Sequence, residues 1–325
     1  MTALPKLAEA DPAPCLPAAP FPAGAEARHE TLYLIGRPPV RNFLRFVKNH
    51  AVTPTGEGDL TDEWQAAHKV VRCLEREEAG AADDPPLGKP GAEDEPLLIE
   101  FLQDPLVQNG FNTVPTEVAM IELDRLVVYQ KHIDLTYVRQ LAKSLGPALT
   151  REQIFRTCLL HDHPQPPVKW SRVAEGRFVF VSPSNDLRSL DAVPLYPMHL
   201  KDYPSRGQLA GVAGVAVGFG SNFLNAVYAD KRLILNNGSH RAYALRELGV
   251  THVPCIVQHV SCREELELVA PREVRRDPDL YLSHARPPML KDYFDPRLYR
   301  VTTVHRRFRQ ITVRFEVEEN YVPAL

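Results

Sequence analysis

Hydrophobic and polar positions form their clearest pattern between residues 232 and 257. An apolar run at 233–235 ends in the turn-forming residues 236–238, which predicts a buried strand that enters a turn. Apolar residues then recur at helical spacing from 242 to 248 and are followed by glycine, a common helix C-terminal residue. Residues 252–257 are again apolar. We therefore predict a strand–turn–helix–strand unit here.

The same periodicities predict further elements on both sides of this unit. Helical spacing begins again at Thr150, where a Thr-x-x-Gln capping box precedes an apolar run. The other predicted strands are 31–35, 120–128, 168–170, 177–181, 209–219 and 311–317, and the other helices are 40–47, 61–78 and 135–145.

Breaks in the pattern divide the chain into four predicted segments. Residues 1–30 are rich in Pro and Ala without a period, which is typical of a disordered or loosely attached arm. For residues 31–96 the pattern predicts an N-terminal helical extension that ends in a linker rich in Gly, Pro and acidic residues. The main domain covers 97–260 with an insertion at about 146–208, and 261–325 forms a C-terminal extension with a basic strand.

Composition narrows the class of protein. The chain has 325 residues, 44% of them hydrophobic, which is ample for a core. Its net charge of -3 argues against a protein that mainly coats nucleic acid. Five scattered cysteines without a CxxC pair fit reduced thiols, and no signal peptide or membrane-length apolar run is found. We expect a soluble, cytoplasmic protein that does not associate with membranes.

The predicted turn carries residues suited to binding phosphate. Gly238 lets the backbone approach a ligand, and the free amides of the following helical turn attract anions. Asn237, Ser239, His240 and Arg241 stand beside it. The alternative is a simple tight turn with a solvated first helical turn. We favour the anion site because positive side chains at a helix N-terminus oppose the helix dipole unless an anion is near.

The turn at Gly238 and the elements around it resemble the ParB/sulfiredoxin superfamily. The matching residues are Gly238-Ser-His-Arg241, Leu248-Gly249 and Val253-Pro-Cys-Ile256, and more loosely 120–130 and 135–145. The resemblance covers about 117–260. It implies an α+β fold, a ParB/sulfiredoxin-like mixed sheet with helices that is here enlarged by an insertion and by both terminal extensions. It also implies nucleotide-phosphate binding.

Departures from that family limit which chemistry can be transferred. Sulfiredoxins carry a reactive Cys where this chain has Ser239, so sulfiredoxin chemistry is not expected. The free serine kinases of the family place a catalytic Glu after the opening strand, where this chain has 130–132, Gln-Lys-His. A carboxylate base or metal ligand must then be Glu122, Asp124 or Asp134. Strand 120–128 should lie beside the strand that leads to Gly238.

Two functions are compatible with this pattern. The first is a nucleotide-dependent phosphotransferase, an ATP-dependent small-molecule kinase or NTP hydrolase, which uses ATP or CTP with Mg²⁺ and a small polar metabolite. The alternative is a ParB-like nucleotide switch or DNA-associated binding module without metabolic chemistry. Nucleic acid is the less favoured partner, because the basic stretch from 299 to 317 also fits a solvated strand edge protected by charge.

Overall fold

The computed structural model describes residues 28–162, 166–195 and 207–323. These residues form two compact units. The larger unit comprises 28–162 and 221–306, and the smaller one comprises 166–195, 207–220 and 307–323. Both combine sheets with helices or loops, and the predicted α+β class is confirmed.

The strands are β1 (Arg28–Leu34), β2 (Thr116–Glu122), β3 (His132–Asp134), β4 (Lys169–Ala174), β5 (Arg177–Ser182), β6 (Leu187–Leu195), β7 (Val212–Phe219), β8 (Asn225–Ala229), β9 (Arg232–Asn237), β10 (His252–His259), β11 (Tyr299–His305) and β12 (Arg309–Arg314). The helices are α1 (Val40–His50), α2 (Glu57–Glu77), α3 (Glu95–Leu102), α4 (Pro105–Gly110), α5 (Leu135–Leu145), α6 (Arg151–Cys158), α7 (Ser239–Glu247), α8 (Arg263–Val269) and α9 (Arg272–Arg276). No helix in the described ranges is long and apolar enough to span a membrane.

The four-stranded sheet of the larger unit has the order β2-β10-β8-β9. β10 pairs in parallel with β8 and antiparallel with β2, while β8 and β9 are antiparallel. After β2 the chain crosses to the opposite edge, where Val127 forms a parallel bridge with Ile234 of β9. The prediction that 120–128 lies beside β9 therefore holds for Val127, whereas β2 itself is three strands away.

A core of aliphatic and aromatic side chains packs this sheet against three helices. It includes Val138 of α5, Phe155 of α6, Leu245 of α7 and Ile121 and Ile256 of the sheet, all almost fully buried. The predicted capping box starts α6, because the Thr150 hydroxyl accepts the N–H of Gln153 and the Gln153 amide accepts the N–H of Thr150. Apolar faces at helical spacing thus give these helices their positions on the sheet.

The three-stranded sheet β11-β1-β3 brings the N-terminal part of the chain into the larger unit. The predicted boundary of a separate extension at 31–96 therefore differs from the structure. The arm predicted for 1–30 extends too far, since 28–30 already belong to β1, and residues 1–27 lie outside the described residues. β11 contributes to the same sheet, so the predicted C-terminal extension is divided between the two units.

The predicted linker near 79–96 is wrong. Ala82 is fully buried, Gly88 exchanges two backbone hydrogen bonds with Met120 of β2, and the Asp83 carboxylate accepts a 2.7 Å bond from Arg232. Gly and Pro in this segment form turns rather than a free tether. Asp83 pairs with the buried Arg232, and the buried Asp94 pairs with the exposed Arg151. Composition alone does not distinguish these two uses.

The smaller unit contains two sheets, β12-β5-β4 and β6-β7. The predicted hairpin is present, with its turn at Gly176 in the left-handed region at φ +60°. The insertion predicted for 146–208 begins later than expected, because α6 belongs to the larger unit. The basic tail strand, β12, pairs with β5 instead of standing as an extension of its own.

Candidate functional site

The turn between β9 and α7 has the predicted strand–glycine–helix geometry. Gly238 adopts φ +98°, and a Cβ at this position would lie 2.6 Å from Leu224 Cδ1. Glycine is therefore favoured here by the left-handed backbone and by the packing of Leu224. The neighbouring Asn237 amide donates a 3.0 Å hydrogen bond to the Phe223 carbonyl, so it holds the turn in place.

The first turn of α7 is not capped by a side chain. Gly238 is the N-cap residue and has no side chain that could accept from the helix amides. Across the described ranges, the backbone N–H groups of Ser239 and His240 have no hydrogen-bond acceptor. Two donors and the positive end of the helix dipole are thus available to an anion at this point.

His240 is neutral in this environment. Its Nε2 accepts the backbone N–H of Asp134 at 3.0 Å, which requires that nitrogen to be unprotonated. Burial, with a further contribution from the ring of His132, lowers the pKa of His240 to about 4. The interpretation of His240 as a cationic phosphate ligand is therefore corrected, because at neutral pH it is a hydrogen-bonding group. Its ring lies edge-on to Tyr137, with centroids 5.6 Å apart.

Arg241 has an internal role. The side chain is buried, and its Nη1 donates to the carbonyls of Thr157 and Cys158 at 3.1 and 3.3 Å. Its Nη2 donates to Asn222 Oδ1 at 3.2 Å. The guanidinium therefore links α7 to the C-terminal carbonyls of α6, which helix geometry leaves without intrahelical donors. Direct contact between Arg241 and a phosphate stays a prediction, and these hydrogen bonds give the side chain an internal role.

The three candidate carboxylates lie in different places. Asp134 lies beside the turn, where it caps α5 by accepting the N–H of Tyr137 and binds His29 Nδ1 at 2.6 Å. Asp124 forms a bidentate pair with Arg246, at 3.0 and 3.2 Å, near the opposite end of α7. Glu122 is paired across the sheet with a residue at the start of β10. It lies three strand spacings, roughly 14 Å, from β9.

The segment 129–134, which follows Val127, reaches the turn between β9 and α7. The Tyr129 hydroxyl donates to the carbonyl of Asn236 at 2.8 Å, and Asp134 contacts His240 as described. Two members of this neighbourhood were not among the predicted site residues: Tyr129 and His29. His29 reaches this neighbourhood through the pairing of β1 with β3, and Tyr129 reaches it through the bridge between Val127 and β9. Both contacts join residues about one hundred positions apart, which no local pattern encodes.

A narrow cleft lies beside residues 129–131. It is lined by Tyr33, Arg37, Trp64, Lys131 and Tyr281, among others. Its interior volume of about 30 Å³ has space for one or two water molecules. Burial lowers the pKa of the Lys131 ammonium, and the charge of Arg37 acts in the same direction while Asp277 opposes it. The cleft is therefore weakly cationic and fits only a small ligand.

The α7 turn can hold an anion through backbone dipoles, with a neutral imidazole and a carboxylate–histidine pair beside it. Asp124 and Glu122 are directed elsewhere, so Asp134 is the candidate carboxylate at this place. Comparisons with known proteins gave no relative: no family model, no curated protein and no solved structure matches this chain.

Proposed function

We propose that this chain is a nucleotide-phosphate-binding protein whose larger unit has a ParB/sulfiredoxin-like fold. The observation that carries the proposal is the start of α7, where an uncapped helix follows a glycine at φ +98° and offers the amides of Ser239 and His240. Phosphate groups are the ligands that such helix N-termini most commonly hold in nucleotide-binding proteins.

The geometry favours recognition by backbone dipoles over recognition by mobile cations. The hydrogen bonds of Arg241 are directed into the protein, and His240 is neutral. A phosphate would therefore accept from the two free amides, with the hydroxyl of Ser239 as a third donor on the same turn. Such a site is already oriented before the ligand arrives, which reduces the entropic cost of binding.

The chemistry that fits this site best is phosphoryl transfer from ATP or CTP to a small polar metabolite. A general base is most effective when a carboxylate orients it. His29 and Asp134 form such a pair at 2.6 Å, and the backbone N–H of Asp134 itself contacts His240 in the α7 turn. No group of three or more metal-ligating side chains occurs within the described residues. Mg²⁺ would accordingly be held mainly by the nucleotide phosphates, with Asp134 as the nearby carboxylate.

A nucleotide switch without metabolic chemistry is the second candidate. It is favoured by the positions of Asp124, which is paired with Arg246, and Glu122, on the far edge strand. Binding without rapid transfer needs neither carboxylate. Turnover distinguishes the two candidates, because a hydroxylated metabolite should stimulate a kinase and DNA should stimulate a ParB-like switch.

The binding proposal is tested by one matched pair of variants, His240→Glu and His240→Gln. Both side chains can accept the N–H of Asp134 and they have nearly the same shape. Glutamate places a negative charge on the second residue of α7, and repulsion at about 5 Å costs on the order of 3 kcal/mol at an effective dielectric constant near 20. We expect at least tenfold weaker nucleotide binding for His240→Glu than for His240→Gln.

The measurement is a thermal-shift and calorimetric titration with ATP, ADP, CTP and GTP in the presence of Mg²⁺. A nucleotide at one hundred times its dissociation constant stabilises the folded state by about 2.7 kcal/mol, which is easily detected. Unliganded melting curves of both variants control for stability. Equal affinities in two folded variants, or no shift with any nucleotide, would exclude phosphate binding at this turn.

A further inference from the structure

One face of the sheet β12-β5-β4 in the smaller unit is lined with aromatic rings. Trp170 of β4 stands opposite Phe180 of β5, with ring centroids 6.1 Å apart and planes 23° from parallel. Phe178, on the same face of β5, lies 6.5 Å from Trp170 and 6.0 Å from Phe315. Alternate residues of β5, Val179 among them, point to the other, buried face. The four rings therefore form a continuous row.

This row is open to solvent. Trp170 retains 62% of its exposure and Phe315 retains 43%, and the two phenylalanines between them are half-buried. A tryptophan on an edge strand normally covers apolar neighbours, as Trp170 partly does with Phe180. Four neighbouring rings on an accessible face nevertheless form a large apolar patch, and such patches mark interaction sites.

The strands that form this face carry only positive charges, while Glu175 in the β4–β5 turn and Glu316 next to Phe315 lie outside them. The three strands contain five basic residues and no acidic residue, although the whole chain has a net charge of -3. Arg172 on one edge strand and Arg309 on the other belong to the aromatic face, since they are in register with Phe178 and Ser182. In the described part of the chain, neither arginine forms an ion pair. The face thus combines exposed rings with cations at both edges.

We propose that this aromatic face binds single-stranded nucleic acid. Unpaired bases stack on exposed rings, and the flanking arginines would contact the phosphates on either side of the row. Duplex nucleic acid does not fit this surface, because its bases are stacked on one another and cannot lie on the rings. The two arginines on this face favour a polyanion over a neutral apolar partner such as a second copy of this chain, in which these like charges would be brought together.

The first test is fluorescence of the full-length chain. The protein has two tryptophans, so in Trp64→Phe the emission comes from Trp170 alone. We expect a twelve-residue oligo(dT) or oligo(U) to quench this emission, and a twelve-base-pair duplex to leave it unchanged. Comparison of the two single strands shows whether the 2′-hydroxyl contributes. If Trp64→Phe does not fold, anisotropy of a labelled oligonucleotide with the unmodified protein replaces this measurement.

The second test separates the ring and charge contributions. Removing one stacked ring by Trp170→Leu should weaken binding of oligo(dT) between about fivefold and one-hundredfold, the usual range for one stacked base. For the double variant Arg172→Gln/Arg309→Gln, the plot of log K against log salt concentration should become less steep. Its slope should fall by about 1.4, or 0.7 for each lost phosphate contact. Its matched control is Arg177→Gln/Arg314→Gln, on the opposite face of the same sheet. This control should leave the slope unchanged.

Three results would overturn the proposal. The first is the absence of quenching and of anisotropy change with both single strands at low salt. The second is equal binding of duplex and single strand, which would indicate charge attraction without stacking. The third is a concentration-dependent dimer, seen by light scattering and lost in Trp170→Leu, which would assign the face to self-association.

Discussion

The assignment of Arg241 as an internal residue leads to a sharp prediction for Arg241→Met. Methionine retains the length of the side chain but removes the donors to Thr157, Cys158 and Asn222. A hydrogen bond from a charged donor contributes roughly 1.5–3 kcal/mol, and three bonds that share one group add up to less than their sum. Methionine regains part of the loss by filling the volume. We expect a net loss of about 3–5 kcal/mol of unfolding free energy.

The matched control is Arg246→Met, five residues further along α7. Arg246 is partly exposed, pairs with Asp124 and lies over the ring of Phe294 at 4.8 Å. A partly exposed ion pair with one cation–π contact should contribute only about 0.5–1.5 kcal/mol. The difference between the two variants therefore reports on burial rather than on the loss of an arginine from the helix.

Urea denaturation followed by far-UV circular dichroism measures both losses. The larger unit should give the main transition, and the midpoint of Arg241→Met should fall well below that of Arg246→Met. At temperatures where Arg241→Met is folded, nucleotide affinity should remain within about threefold of the unmodified chain. A loss below about 1 kcal/mol combined with a tenfold loss of affinity would refute this reasoning and make Arg241 a ligand.

Two further predictions concern the same turn. Burial lowers the pKa of His240 to about 4 from the ordinary value near 6.5, so the unfolded chain binds more protons between these pH values. Stability should fall by at most about 3 kcal/mol as pH decreases from 6.5 to 4, and His240→Gln should remove that part of the slope in urea titrations at several pH values. If the unfolding free energy of His240→Gln changes with pH as steeply as that of the unmodified chain, the assignment of a neutral, buried His240 is contradicted. Gly238→Ala should cost about 1–3 kcal/mol more than Gly249→Ala, the usual range for overpacking a buried neighbour. Both glycines are left-handed, but only the first has a neighbour that a Cβ would contact, and equal thermal shifts would contradict this expectation.

Local sequence patterns predicted what depends on local contacts. The strand, the turn at Gly238 and the helix from Ser239 follow from an apolar run, a glycine and helical spacing, and all three are present. Thr150 likewise marks the start of α6. In each case the signal lies within a few residues of the element that it specifies.

The direction of the polar side chains could not be predicted in this way. In sequence, Arg241 is an arginine in the first turn of a helix, which is normally a solvated position. Its burial depends on the ends of α6 and on Asn222, which come from other parts of the chain. The pair of Asp124 with Arg246 is equally non-local, because the two residues are more than one hundred positions apart in the chain.

The buried charge of Arg241 still acts on the turn, although its donors are used elsewhere. Its field disfavours a second positive charge nearby, and after burial and the ring of His132 it is one of the contributions that lower the pKa of His240. The attraction of an anion to the amides of Ser239 and His240 comes instead from the dipole of α7, which does not depend on Arg241. The neutral histidine and the anion-attracting turn therefore have different sources. If nucleotide binding is measured against pH, affinity should stay level from about pH 8 down to the second phosphate pKa near 6. A cationic His240 would instead make affinity rise as pH falls through 6.5, and that rise would show that the fixed amides are not the main source of attraction.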